Sequence, residues 1–129
     1  MFFILLYLEL GDSETPIILV GLRRNMYKLC FFVPETHLET VKAAVFEAGA
    51  GRIGDYDQCC WQVKGEGQFR PLSGSQPFLG TQGTLENVAE YRVEMVMEKS
   101  CAKTVLKALK ESHPYEEPAY DVMALVEGV

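Results

Sequence analysis

From Tyr27 to Val126 the apolar residues change spacing in a fixed order: strand, helix, strand, strand, helix, strand. A period of two marks a strand with one buried face, and a period of about 3.6 marks a helix with one buried stripe. The strand at 90–98 is the plainest, Tyr91, Val93, Met95 and Met97 alternating with Arg92, Glu94, Val96 and Glu98. Earlier, Leu29, Phe31 and Val33 alternate with Lys28, Cys30 and Phe32, and Pro34 closes that strand. Leu38, Val41, Val45 and Ala48 then recur at helical spacing, with capping-box spacing at Thr36 and Glu39 and a stop at Gly49 and Gly51. A second strand is expected over Tyr56 to Lys64 and a long loop over Gly65 to Asn87. Ser100 is the expected N-cap of a second helix carrying Ala102, Val105, Leu106 and Leu109 inward and Lys103, Lys107 and Lys110 outward. Ser112-His113-Pro114 ends it, and Ala119 to Val126 is the last strand.

This order predicts an α+β, ferredoxin-like β-α-β-β-α-β sandwich: a four-stranded antiparallel sheet with both helices on one face. The other face, carrying Cys30 and Phe32, must be covered or tolerate water. Self-association, with a trimer favoured on fold analogy, is the expected cover. At 129 residues the chain is one domain's worth, and 48% hydrophobic content is enough for a core. A formal net charge of −6 speaks against a nucleic-acid partner. No apolar run reaches the roughly 18 residues that span a bilayer. Cys30, Cys59, Cys60 and Cys101 include one adjacent pair and no CxxC, so they read as reduced thiols in the cytoplasm. Residues 1–25 have an apolar start without a positive n-region or a cleavage site. They are expected to be an N-terminal extension upstream of a natural start at Met26, with two short strands as the alternative; 26–129 is the single domain.

The polar residues concentrate in His113-Pro114-Tyr115-Glu116-Glu117-Pro118-Ala119-Tyr120-Asp121. Two prolines stiffen a segment holding an imidazole, three carboxylates and two phenols. His113 with Glu116 or Glu117 is a candidate divalent metal site, since imidazole and carboxylate suit zinc, copper or manganese. The plainer reading is a helix stop and rigid strand entry, with the carboxylates accepting backbone N–H bonds. Arg70, the lone cation of the long loop, is the candidate contact for a small anionic ligand. That loop has no Gly-Lys-Ser/Thr ending, which argues against a nucleotide P-loop. No nucleophile motif is present, so no catalytic residue is assigned. His37 is expected to be solvated.

Residues 26–126 resemble the Nif-three-like (YqfO) family, specifically its small inserted domain. The resemblance is carried by Gly49-Ala50-Gly51-Arg52-Ile53-Gly54-Asp55-Tyr56 with Cys59, by Gly65-Glu66-Gly67-Gln68-Phe69-Arg70-Pro71, and by Pro77-Phe78-Leu79-Gly80. Glu90-Tyr91-Arg92-Val93-Glu94 and the His113–Asp121 segment complete it. It implies a fold like the CutA and PII-type signal proteins, which assemble as trimers. It also implies that the paired-metal site of the long members lies in flanking domains rather than in this segment. The expectation is a non-enzymatic regulatory or ligand-binding module, with a CutA-like divalent metal-binding protein as the alternative and a small metal-dependent hydrolase behind it. Loops gather at element ends, so the expected cleft between neighbouring subunits is framed by Gly51, Arg52 and Tyr56, by Phe69 and Arg70, and by His113, Tyr115, Glu116 and Glu117. A small anionic ligand or a protein partner would occupy it.

Overall fold

The structure of the chain, a computed structural model, describes residues 5–8, 17–20 and 25–126. Strands β1 (Leu5–Leu8) and β2 (Ile17–Val20) form a two-stranded antiparallel sheet, with Leu5 opposite Val20. Residues 1–4, 9–16 and 21–24 of the expected extension, and 127–129 of the expected domain, lie outside the described residues.

The remaining elements are β3 (Met26–Pro34), α1 (Leu38–Glu47), β4 (Trp61–Phe69), β5 (Glu86–Glu98), α2 (Ala102–Ser112) and β6 (Tyr120–Ala124). The sheet order is β4-β5-β3-β6, antiparallel throughout. This is the ferredoxin-like arrangement that the alternating periods predict. Leu29 sits opposite Met95 and Phe31 opposite Val93. With Val33 and Met97 they form the sheet side of the core, and Val41, Val45, Val105 and Leu109 close it from the helices. Phe31, Val41, Val45, Val105 and Leu109 are wholly buried.

Neither helix starts as its capping spacing suggests. A single 3-10 turn precedes each, Glu35–His37 before α1 and Lys99–Cys101 before α2, and no side chain caps either N-terminus. The Thr36 hydroxyl turns to the His37 ring, 2.9 Å from Nδ1, and the Ser100 hydroxyl donates to Glu98 at 3.3 Å. Pro34 and Glu98 are both extended, so the chain leaves a strand directly into a tight turn and the hydroxyls never align with the first free N–H groups. The C-terminus of α1 does follow its glycines. Gly49 adopts φ of +117°, the Gly49 N–H donates to Phe46 O and the Ala50 N–H to Val45 O, both at 3.0 Å. Gly51 then brings the chain against β5, donating to Val96 O at 2.8 Å, and a Cβ there would meet the Phe46 ring.

The second strand of the domain is displaced from its expected span. It runs from Trp61 to Phe69 rather than from Tyr56 to Lys64. Ile53 and Tyr56 exchange both backbone hydrogen bonds at 2.9 Å, and Gln58 has a φ of +54°. That left-handed residue interrupts extended geometry where side-chain alternation alone reads as strand. At the other end the glycines of Gly65-Glu66-Gly67 do not start a loop, and pairing with β5 continues to Phe69 opposite Glu86. The connecting loop is therefore residues 70–85.

The face away from the helices presents Trp61 and Val63 on β4, Arg92, Glu94 and Val96 on β5, Lys28 on β3, and Asp121 and Met123 on β6. Trp61 and Met123 are 45% and 46% exposed. Cys30 lies on this face as expected, opposite Glu94 and Asp121, yet it is only 2% exposed. A bridge of charged side chains occupies the middle of that face, with Glu94 accepting from Lys28 at 3.4 Å and Arg92 at 3.2 Å.

Leu109→Ala, which empties part of a wholly buried layer between α2 and the sheet, should cost about 2–5 kcal/mol in a denaturant melt. By contrast, Thr36→Ala and Ser100→Ala should each fall well short of the ~1 kcal/mol typical of a lost N-cap.

Candidate functional site

The end of the sheet where β3 finishes and β6 begins carries a cavity of about 440 Å³. Its floor is the end of the open sheet face, with Phe32, Phe69, Val88 and Glu90. The loop 70–85 arches over it and the segment between α2 and β6 forms the remaining wall. Phe78 and Tyr115 hold loop and wall together, their ring centroids 6.4 Å apart; Phe69 lies at the same distance from Tyr115. A second tie is polar: the Gln76 N–H donates to Glu116 Oε2 at 3.0 Å. His37, expected in solvent, is half-buried, its ring edge-on to Phe78 at 5.2 Å.

His113 fixes this wall. It is 6% exposed, and its Nε2 lies 2.6 Å from the Phe32 carbonyl while Nδ1 accepts the Tyr115 N–H at 3.1 Å. Those partners define a neutral imidazole protonated on Nε2. Both ring nitrogens are thereby engaged, so as placed the ring has no lone pair to offer a metal. Among the described residues, no group of three or more His, Cys, Asp or Glu side chains is arranged to hold a metal ion. Burial pushes the His113 pKa down; the Phe32 carbonyl opposes this and the nearby His37 adds to it.

Glu90 is the second notable group. Its side chain lies over Gly67, in the space a Cβ would fill. This is why the strand tolerates glycine there: the residue marks a close approach, not a turn. Burial raises the Glu90 pKa. Burial, then the charge of Glu90, raises that of Tyr115, whose hydroxyl is buried without a hydrogen-bond partner among the described residues.

Of the expected site residues, Phe69, Arg70, Tyr115, Glu116 and Glu117 line one cavity. His113 stands behind it as a support. Gly51, Arg52 and Tyr56 do not join them. Gly51 bonds to Val96, whereas Phe69 pairs with Glu86, ten residues along β5 and so roughly 33 Å away. Phe32, Phe78 and Glu90 belong to the site and are absent from the sequence-based set. The alternating glycines of Gly65-Glu66-Gly67 are the one signal that could have exposed Glu90.

No protein-family model matches the chain. It is 52% identical over 102 residues to the GTP cyclohydrolase 1 type 2 homolog of Mycobacterium leprae, covering 79% of this chain and 26% of that protein. The homolog of the same name from Bacillus subtilis is 46% identical over 110 residues, covering 85% and 30%. Among solved structures, a Bacillus cereus protein related to NIF3 superposes with a TM-score of 0.68 at 43% identity, over 80% of this chain and 26% of that one. By this segment the chain belongs to the Nif-three-like family. It spans between a quarter and a third of the length of these curated relatives. CutA from Xylella fastidiosa has the same fold at 15% identity, with a TM-score of 0.58 over 81% of this chain and 88% of that one. The Nif-three-like segment thus has a CutA-like architecture, with its cavity at one end of the sheet.

The neutral His113 gives this segment a directional pH response. An unfolded histidine titrates near pH 6.5, and the folded one titrates lower. The unfolded state therefore takes up more protons below that pH, and stability falls as pH drops from about 6.5 through the folded pKa. His113→Gln should lower overall stability and remove this part of the slope, which denaturant melts between pH 7.5 and 5 would show.

Proposed function

We propose that this Nif-three-like segment is a non-enzymatic ligand-binding or regulatory module whose ligand sits in the cavity beneath loop 70–85. The single observation that carries the reading is that cavity. It is concave, of small-molecule size, mainly apolar, and edged by a few polar groups at the end of a rigid sheet. His113, behind the cavity wall, has both nitrogens committed to backbone partners, which favours a binding role over acid–base chemistry. The name GTP cyclohydrolase 1 type 2 homolog belongs to proteins of which this chain matches about a quarter to a third. Cyclohydrolase chemistry is accordingly no part of the proposal.

The module would work as a homo-oligomer, with a trimer favoured, in the cytoplasm. Trp61, Val63 and Met123 are exposed on the helix-free face of the sheet, an apolar set that a second subunit would cover. No helix among the described residues is long and apolar enough to cross a membrane. Assembly would also supply what one subunit lacks, by bringing Gly51, Arg52 and Tyr56 of a neighbour toward the cavity.

Native mass spectrometry of gently purified protein tests both parts. The expected result is an oligomer, trimeric for preference, with a small organic mass retained on each subunit. Phe78→Ala should keep the oligomer and shed that mass, because it opens the cavity roof without touching the sheet face. A bare monomer that captures no small molecule would overturn the reading.

A further inference from the structure

The cavity has a charge opposite to the one that Arg70 alone suggests. Glu90, Glu116 and Glu117 line it, against the single guanidinium of Arg70. Arg70 is exposed, as are Glu116 and Glu117, so water screens all three. Glu90 is half-buried inside, and its carboxyl is shifted by burial with no neighbouring cation to offset it. An anion entering here would meet an uncompensated carboxylate at the floor.

The walls add a second, independent preference. Phe32, Phe69, Phe78 and Tyr115 all border the cavity. The Phe69 and Phe78 rings are each inclined at 48° to that of Tyr115 and 6.4 Å from it, so neither stacks face to face on Tyr115. One cationic centre can therefore come within about 6 Å of more than one ring, where the ring quadrupole attracts it. A small inorganic cation would lose its water to aromatic walls and gain too few oxygen ligands in return. An alkylated ammonium is weakly hydrated and apolar at its surface, so it suits rings and a lone carboxylate together.

We infer that the cavity takes an organic cation, an ammonium group carrying alkyl or ring substituents. The ammonium would pack among Phe69, Phe78 and Tyr115 and be balanced by Glu90. This rests on the proposed ligand-binding role of the same cavity and names the class of ligand. Gly67 has a part in it: as the residue without a Cβ beneath the Glu90 side chain, it lets the carboxylate lie over the strand instead of being pushed aside.

Three probes of nearly the same shape separate charge from size: choline, 3,3-dimethylbutan-1-ol and 3,3-dimethylbutanoate. Each would be titrated into the full chain, with the backbone amide signals of Gln76 and Tyr115 reporting on the cavity. Choline should bind about tenfold more tightly than the neutral alcohol, with the carboxylate the weakest. Glu90→Gln should reduce the choline advantage to less than about threefold and leave the alcohol unchanged. Phe78→Leu, an aliphatic wall that keeps the cavity closed, should do the same through loss of the ring. The amide spectrum itself verifies that each variant is folded. Equal or tighter binding of the alcohol or the carboxylate would overturn the cation inference and leave the cavity standing as a ligand site. Failure of all three probes to shift either signal would overturn both.

Discussion

The imidazole of His113 is the contact on which the functional end of this molecule depends. It sits where α2 stops, and its two nitrogens bond to Phe32 on the central strand and to Tyr115 at the start of the wall. One side chain thus fixes helix, sheet and connecting segment relative to one another. Both nitrogens are buried, so leaving either unpaired would carry the full desolvation penalty of a lost hydrogen bond. The proline that follows holds φ within a narrow range, and the chain reaches β6 with Tyr115 already turned toward the cavity. A residue with the chemistry of a metal ligand is here spent on architecture.

The cavity follows from that placement and from two departures from regular structure. β4 continues through glycines that would ordinarily mark a turn, and this carries Phe69 to the rim and leaves room for Glu90 over Gly67. Loop 70–85 then folds back, held by Phe78 against Tyr115 and His37 and by the Gln76–Glu116 hydrogen bond. The result combines an apolar interior with a floor carboxylate that lacks a counter-charge. Desolvated charges are costly unless paired, so such a group is maintained most readily where a ligand completes it.

Much of the fold was legible because burial imposes a period on side chains wherever a strand or helix packs on one face only. Leu29, Phe31, Val93 and Met95 announced the sheet, and Val41, Val45, Val105 and Leu109 the helices. The boundaries were less legible. The capping-box spacing at Thr36 and the N-cap residue Ser100 are both present, but a 3-10 turn places both hydroxyls elsewhere. Spacing alone places the second strand five residues early, because a left-handed Gln58 leaves no trace in the apolar pattern. Phe69, Arg70, Tyr115, Glu116 and Glu117 could be singled out by residue type and by their position at element ends. Phe32 and Glu90 looked like ordinary strand residues until pairing brought them to the same end as loop 70–85.

The order of elements, the faces turned to the core, the helix stop at Gly49 and the kinship with the Nif-three-like family can be read along the chain, because each is written in local spacing or residue identity. Which site residues meet was left to tertiary packing. Gly51, Arg52 and Tyr56 are closer in sequence to Phe69 than His113 is, yet the antiparallel sheet sends them to its opposite end. It likewise decided that His113 is a buried support and that carboxylates outnumber the guanidinium around the cavity. Chain proximity carries no information about the far end of a strand, and a charge acquires its meaning only from the groups that folding places beside it.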